Sequence, residues 1–96
     1  MSIYLILERA RLLLEQGRTN DAIREVKQYP ENDEALSLYA RCLYDKNEIP
    51  EGIDVILQAI RIDPENSFYF YLLAFGYYKK DEHFAALDNL NRAISL

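Results

Sequence analysis

The 96-residue sequence predicts an all-α fold, a helical-hairpin solenoid of six helices in three stacked units, and three observations carry that expectation. Composition is the first: Leu, Ala, Ile, Glu, Arg, Lys and Gln are plentiful, while three Gly and three Pro are too few for a chain of many β-hairpins. The second is periodicity, since apolar residues recur at three- and four-residue steps, as in Ile6, Ala10, Leu13 and Leu14 or Ile53, Ile56, Leu57 and Ile60. The third is a repeat of 34 residues. Pro30-Glu31-Asn32 returns as Pro64-Glu65-Asn66, and Leu36, Ala40, Leu43, Gly52, Ile53, Ile56 and Ala59 return as Phe70, Ala74, Tyr77, Ala86, Leu87, Leu90 and Ala93. A further copy lies 30 residues earlier, where Ile6, Ala10, Leu13, Gly17, Ala22, Ile23 and Val26 stand opposite Leu36, Ala40, Leu43, Asn47, Gly52, Ile53 and Ile56. The missing four residues fall at the end of its second helix, directly before Pro30, and amount to about one helical turn, so the apolar face stays nearly in phase.

The six helices follow in order from their stops and caps. The first spans roughly 3–16 and is broken at Gly17; the second, roughly 20–29, runs into Pro30, which disfavours helix in the residue before it. Asn32 or Asp33 caps the third, 33–46, which stops at Lys46-Asn47. Pro50 suits the first turn of the fourth, 50–62, and Pro64 ends it. Asn66 or Ser67 caps the fifth, 67–80, Lys80-Asp81 closes it, and the sixth covers 83–95. The units are thus about 1–30, 31–64 and 65–96 within one domain, since a chain of this size buries a single core.

Several function classes are excluded. Eleven basic against 16 acidic residues give a net charge of -5, distributed as +1, -5 and -1 over the three units, which repels a phosphate backbone. Neither a nucleic-acid partner nor an RNA-reading helical repeat is expected. The longest apolar stretch, Phe68 to Tyr78, is eleven residues, about half of a bilayer crossing, so no membrane partner is expected and that helix is buried or partner-facing. The amino terminus lacks the basic region of a secretory signal, its first positive residue being Arg9, and the expected location is cytoplasmic. Cys42 alone forms no intramolecular disulfide or thiolate pair for zinc, and reads as a small buried hydrophobe. His83 reads as a turn residue with no nucleophile or acid at a fixed spacing. Glu31, Asp33 and Glu34 read as a capping cluster at a helix start, without metal-loop spacing. No catalytic residue, metal or cofactor is expected.

At the level of these repeats the chain resembles the tetratricopeptide repeat family. The matching features are Leu73-Ala74 with Tyr77, the second-helix alanines Ala22, Ala59, Ala86 and Ala93, and the closing Asp63-Pro64-Glu65-Asn66. Leu36 or Phe70 stands where the family has Trp, and Gly52 replaces a packing alanine, at a cost of up to about 1 kcal/mol in the helix but with room for close helix approach. The resemblance implies a right-handed superhelix whose first helices line a concave groove. It puts Tyr4, Leu7, Arg11 and Leu14, then Glu34, Ser37, Arg41 and Tyr44, then Phe68, Tyr71, Phe75 and Tyr78 on that face. Well-known members grip the acidic tails of chaperones; the corresponding positions here are Leu7, Arg11, Leu38, Phe68 and Leu72, of which only Arg11 suits a carboxylate, so chaperone-tail recognition is not expected.

The function expected is a non-enzymatic protein-interaction scaffold that takes an apolar, aromatic-rich peptide or helix on Tyr4, Leu7, Arg11, Arg41, Tyr44, Phe68, Tyr71, Phe75 and Tyr78, because large rings left without an intrachain partner offer much area at modest entropy cost. The alternatives are that the rings close on Tyr44 and one another as filler, or that they serve a homodimer. A second self-association face is Leu87, Leu90 and Ile94 on the last helix, an apolar stripe without an interrupting charge. A third closing proline would fall at position 98, so the chain is expected either to be part of a longer repeat protein or to pair end to end through that face.

Overall fold

The computed structural model describes residues 2–96. They form six α-helices: α1 Ile3–Glu15, α2 Thr19–Val26, α3 Asp33–Asp45, α4 Ile49–Ile62, α5 Ser67–Lys79 and α6 His83–Ser95. Consecutive helices pack as antiparallel neighbours, α1 also touches α3 and α3 touches α5, giving a body of 40 × 25 × 18 Å.

The turn inside each pair is the same device three times. Gly17, Asn47 and Asp81 occupy equivalent repeat positions and all take left-handed backbone, with φ of 77°, 60° and 61°. Each sends its N–H to a carbonyl three residues back (Leu14, Tyr44, Tyr78), while the next N–H reaches Leu13, Leu43 or Tyr77 at 2.8–2.9 Å. That pattern satisfies the helix-end carbonyls and reverses the chain, and Gly, Asn and Asp are the residues that tolerate it. Between pairs, Asn32 and Asn66 are the N-caps: their side-chain oxygens accept from the N–H groups of Ala35 (2.9 Å) and Phe68 (3.0 Å). Pro50 sits in the first turn of α4.

One boundary departs from expectation. α2 stops at Val26 rather than near residue 29, because Tyr29 precedes Pro30 and the chain turns instead, Tyr29 N–H bonding the Val26 carbonyl at 3.1 Å and Asn32 N–H the Tyr29 carbonyl at 3.2 Å.

Two apolar clusters make up the core. One joins Leu7, Ala10, Ala22, Val26, Ala35, Leu38 and Cys42; the other joins Leu36, Ala40, Leu43, Tyr44, Ile53, Ile56, Ala59, Tyr69, Leu72 and Leu73, with Tyr39 packed against both. Cys42 is 1% exposed, and burial pushes its thiol up to about 11, in keeping with an inert packing role. His83 is exposed beside Asp81 and edge-on to Tyr78.

Candidate functional site

The geometry of the concave side is fixed by α5, whose sequence is apolar almost all round. One face enters the core: Phe70, Leu73 and Ala74 are buried, and the Arg92 guanidinium of α6 lies over the Phe70 ring at 5.2 Å. A second face meets α3 and α4 through Tyr69 and Leu72. The Tyr69 hydroxyl donates to Asp33 Oδ2 at 2.6 Å across the helix pair. Burial, then that bond to the carboxylate, raises its pKa. The third face carries Phe68, Tyr71, Phe75 and Tyr78, which are 46%, 49%, 37% and 57% exposed.

Between that face and α1 and α3 lies a cleft of about 730 Å³ lined by Leu14, Arg41, Tyr44, Phe68, Tyr71 and Phe75, with Glu15, Asp45 and Lys79 at its edges. A smaller cleft of about 270 Å³ continues from it, shares Arg41 and Phe68, and adds Leu7, Arg11, Glu34 and Ser37. Phe68 stacks on Tyr71, with ring centres 6.0 Å apart, and Phe75 leans on Tyr44 at 5.4 Å.

Tyr44 is the floor of the groove rather than its wall. It is 9% exposed, and its hydroxyl donates to the Leu72 carbonyl oxygen at 2.8 Å, inside α5. Two glycines make its slot: a Cβ on Gly52 would lie 2.5 Å from Tyr44 Cε1, and one on Gly76 would lie 2.6 Å from the Tyr44 hydroxyl and from Ile53 Cγ1. The close approach that Gly52 allows is therefore between α4 and this ring. Burial raises the pKa of Tyr44 and keeps it a neutral donor.

The other expected groove residues divide by environment. Leu7 is 7% exposed and also lies in the floor. Tyr4 is 65% exposed at the amino-terminal rim and lines neither cleft, and Tyr78 stands at the opposite rim against His83. Arg11 is held by two glutamates of its own helix, Glu8 and Glu15, each at 2.8 Å, and the bond to Glu8 is the first cause of its raised pKa. Arg41 lines both clefts and, among the described residues, forms no ion pair. It is the available guanidinium of the groove. The α6 residues Leu87, Leu90 and Ile94 are 56%, 38% and 82% exposed and line neither cleft, and Phe84, which the sequence reading did not single out, extends their stripe at 89%. Its three-residue step to Leu87 was the signal.

The described residues contain no cluster of three His, Cys, Asp or Glu side chains fit to hold a metal ion, and no helix among them is long and apolar enough to cross a membrane.

Repeat length, the left-handed turn at one register position in each unit and the helix-pair stacking fit the tetratricopeptide repeat model, which matches residues 13–74, more than half of the chain. The chain belongs to the tetratricopeptide repeat family. No curated protein sequence matches it. Among solved structures, MamA from Desulfovibrio magneticus RS-1 superposes with a TM-score of 0.86 at 21% identity, over 95% of this chain and 54% of that one. The second tetratricopeptide repeat domain of Spaghetti (RPAP3), bound to the HSP90 peptide SRMEEVD, gives 0.87 at 15% identity over 97% and 90%. The TPR2B domain of yeast Sti1, in a complex with pHsp70, gives 0.80 at 25% identity over 93% and 78%. The tetratricopeptide chain thus spans little more than half the length of the MamA structures. These likenesses are to helical-hairpin solenoids throughout, with six helices making three repeats here.

Proposed function

We propose that this tetratricopeptide protein is a non-catalytic interaction scaffold that holds an apolar, aromatic-bearing peptide or helix in its concave groove. The observation that carries the reading is the outward face of α5. Phe68, Tyr71 and Phe75 line the larger cleft while keeping 37–49% of their surface exposed, over a floor of buried Tyr44. A ring that stays wet in the folded chain gains from a partner that covers it, and rigid aromatics lose little entropy in the process.

Polar recognition in this reading belongs to Arg41, whose forked donors face the cleft beside Phe68, rather than to Arg11, which two glutamates already satisfy. An acidic group on the ligand, set beside an apolar anchor, fits this arrangement. The acidic chaperone tails gripped by well-known members of the family fit less well, since Leu7, Leu38, Phe68 and Leu72 supply no donor at the corresponding places. The net charge of -5 favours a protein over a nucleic acid as partner.

The test is selection from a displayed library of twelve-residue peptides, followed by titration of the best binder into three proteins: wild type, Tyr71→Ala with Phe75→Ala, and Phe70→Ala. The groove double variant is expected to weaken binding by at least about thirtyfold, roughly 2 kcal/mol, with a small change in melting temperature. Phe70→Ala, a core truncation, is expected to lower the melting temperature far more. Failure of the wild type to enrich any apolar peptide, or equal binding by the double variant, would overturn the groove assignment.

A further inference from the structure

The carboxyl-terminal helix α6 carries a second apolar surface, independent of the groove. Phe84, Leu87, Leu90 and Ile94 follow one another at three-, three- and four-residue steps and are 89%, 56%, 38% and 82% exposed. The repeat register shows what such a surface is built for. Leu87, Leu90 and Ile94 stand 34 residues after Ile53, Ile56 and Ile60 of α4, and there Ile53 is 6% exposed, Ile56 is 0% exposed and Ile60 packs against the core shared with α5. The same stripe is thus core between repeats and bare at this end.

Two surfaces of a second copy compete to cover it. The first is the outer face of α1, at the register of Ala35, Leu38, Tyr39 and Cys42 in α3 and of Tyr69, Leu72, Leu73 and Gly76 in α5. Those positions in α1 are Leu5, Glu8, Arg9 and Leu12. Glu8 and Arg9 hold ion pairs with Arg11 and Glu25, each at 2.8 Å, and docking α6 there would strip water from both. Leu12 also stands where the inner joints have Cys42 and Gly76, small residues that let the helices close up. The second surface is α6 itself, whose stripe contains no charge and only Asn91 as a polar member.

We propose that α6 is a homodimer interface in which two copies pack their α6 stripes antiparallel about a two-fold axis near Leu90. Leu87 then faces the partner's Ile94, and Ile94 the partner's Leu87. With about 200 Å² for a fully exposed side chain of this size, the four exposures amount to roughly 500 Å² per copy, so the pair reaches the roughly 1,000 Å² at which specific interfaces begin. The contact is isologous and closes at two copies. An interface of this size gives a weak, concentration-dependent dimer, with half-association on the order of 10–100 µM.

Sedimentation equilibrium from 1 µM to 1 mM tests it, with circular dichroism confirming that each variant keeps its helices. The wild type is expected to pass from monomer to dimer and no further. Leu87→Lys with Ile94→Lys, at sites already more than half exposed, is expected to weaken association at least tenfold, while Leu5→Lys with Leu12→Lys on α1 leaves it unchanged. Leu90→Cys is expected to form an intermolecular disulfide on mild oxidation, because the two-fold axis brings that residue against its own copy; native Cys42 is buried. A monomer over the whole range would overturn the proposal. So would assembly that grows beyond the dimer and is lost with the α1 variant, which is the signature of head-to-tail stacking.

Discussion

Substituting Gly52 by Ala sets two principles against each other. Gly52 lies inside α4, and helix propensity alone predicts that Ala there stabilises by about 1 kcal/mol. The packing predicts the opposite. The added Cβ would sit 2.5 and 2.6 Å from Cε1 and Cδ1 of Tyr44 and 3.3 Å from the Ala40 carbonyl oxygen. Tyr44 cannot swing aside freely, since its hydroxyl is bonded to the Leu72 carbonyl at 2.8 Å and its ring supports Phe75 at 5.4 Å. Overpacking of this kind costs about 1–3 kcal/mol, and losing the buried hydroxyl's bond adds about 1–3 kcal/mol more. After the propensity gain, a net loss of about 1–5 kcal/mol is expected, which at about 4–8 °C per kcal/mol lowers the melting temperature by at least about 4 °C in a chain of this length. Urea and thermal unfolding measure it, and a cycle with Tyr44→Ala separates the causes. In the Tyr44→Ala background the slot is empty, and Gly52→Ala should become neutral or stabilising. A stabilised Gly52→Ala single variant, or equal losses in both backgrounds, would refute the argument that the glycine exists to admit the ring.

Alkaline pH and ionic strength give two further expectations. Burial raises the pKa values of Cys42, Tyr44 and Tyr69 in the fold, so the unfolded chain, in which they ionise near 9.0 and 10.0, holds fewer protons above about pH 9; stability is therefore complete below that pH and declines as pH rises through 9 to 11 and beyond. Melting curves at pH 7, 9, 10 and 11 check this, and a constant midpoint, or a Tyr69→Phe variant with the same alkaline loss as the wild type, would contradict the roles assigned to these groups. A fluorescent single-stranded RNA should show no appreciable anisotropy change at low salt, because the central repeat carries -5; binding that weakens steeply with added salt would replace the scaffold reading with an RNA-reading one.

The parts of this fold that the sequence discloses are those set by local chemistry. Gly17, Asn47 and Asp81 mark the turns because each must take positive φ, and Asn32 and Asn66 mark helix starts because their side chains accept from the first turn. What a helical stripe does not disclose is depth. Leu7 and Tyr44 share their stripes with exposed residues, yet both are buried, since one neighbour covers the foot of the groove and not its rim. The slot for Tyr44 is formed by two missing Cβ atoms on different helices, a relation invisible to any pattern within one helix. Arg11 and Arg41 also look alike in the sequence, and only the placement of Glu8 and Glu15 shows that the first is engaged.

The repeat itself supplies the control for the aromatic face. Phe68, Tyr71 and Phe75 stand at the register of Glu34, Ser37 and Arg41, one repeat earlier. Those three positions carry two charges and a hydroxyl in α3, and α3 forms a complete helix against the same kinds of neighbour. The fold therefore does not require large rings there, whereas the neighbouring positions Leu36, Ala40 and Leu43 stay apolar as Phe70, Ala74 and Tyr77 because the core does. Filler would be expected to bury itself, and these three rings retain more than a third of their surface to solvent even though Phe75 already rests on Tyr44. Surplus aromatic surface at positions where the architecture accepts polar residues supports the groove ligand proposed above.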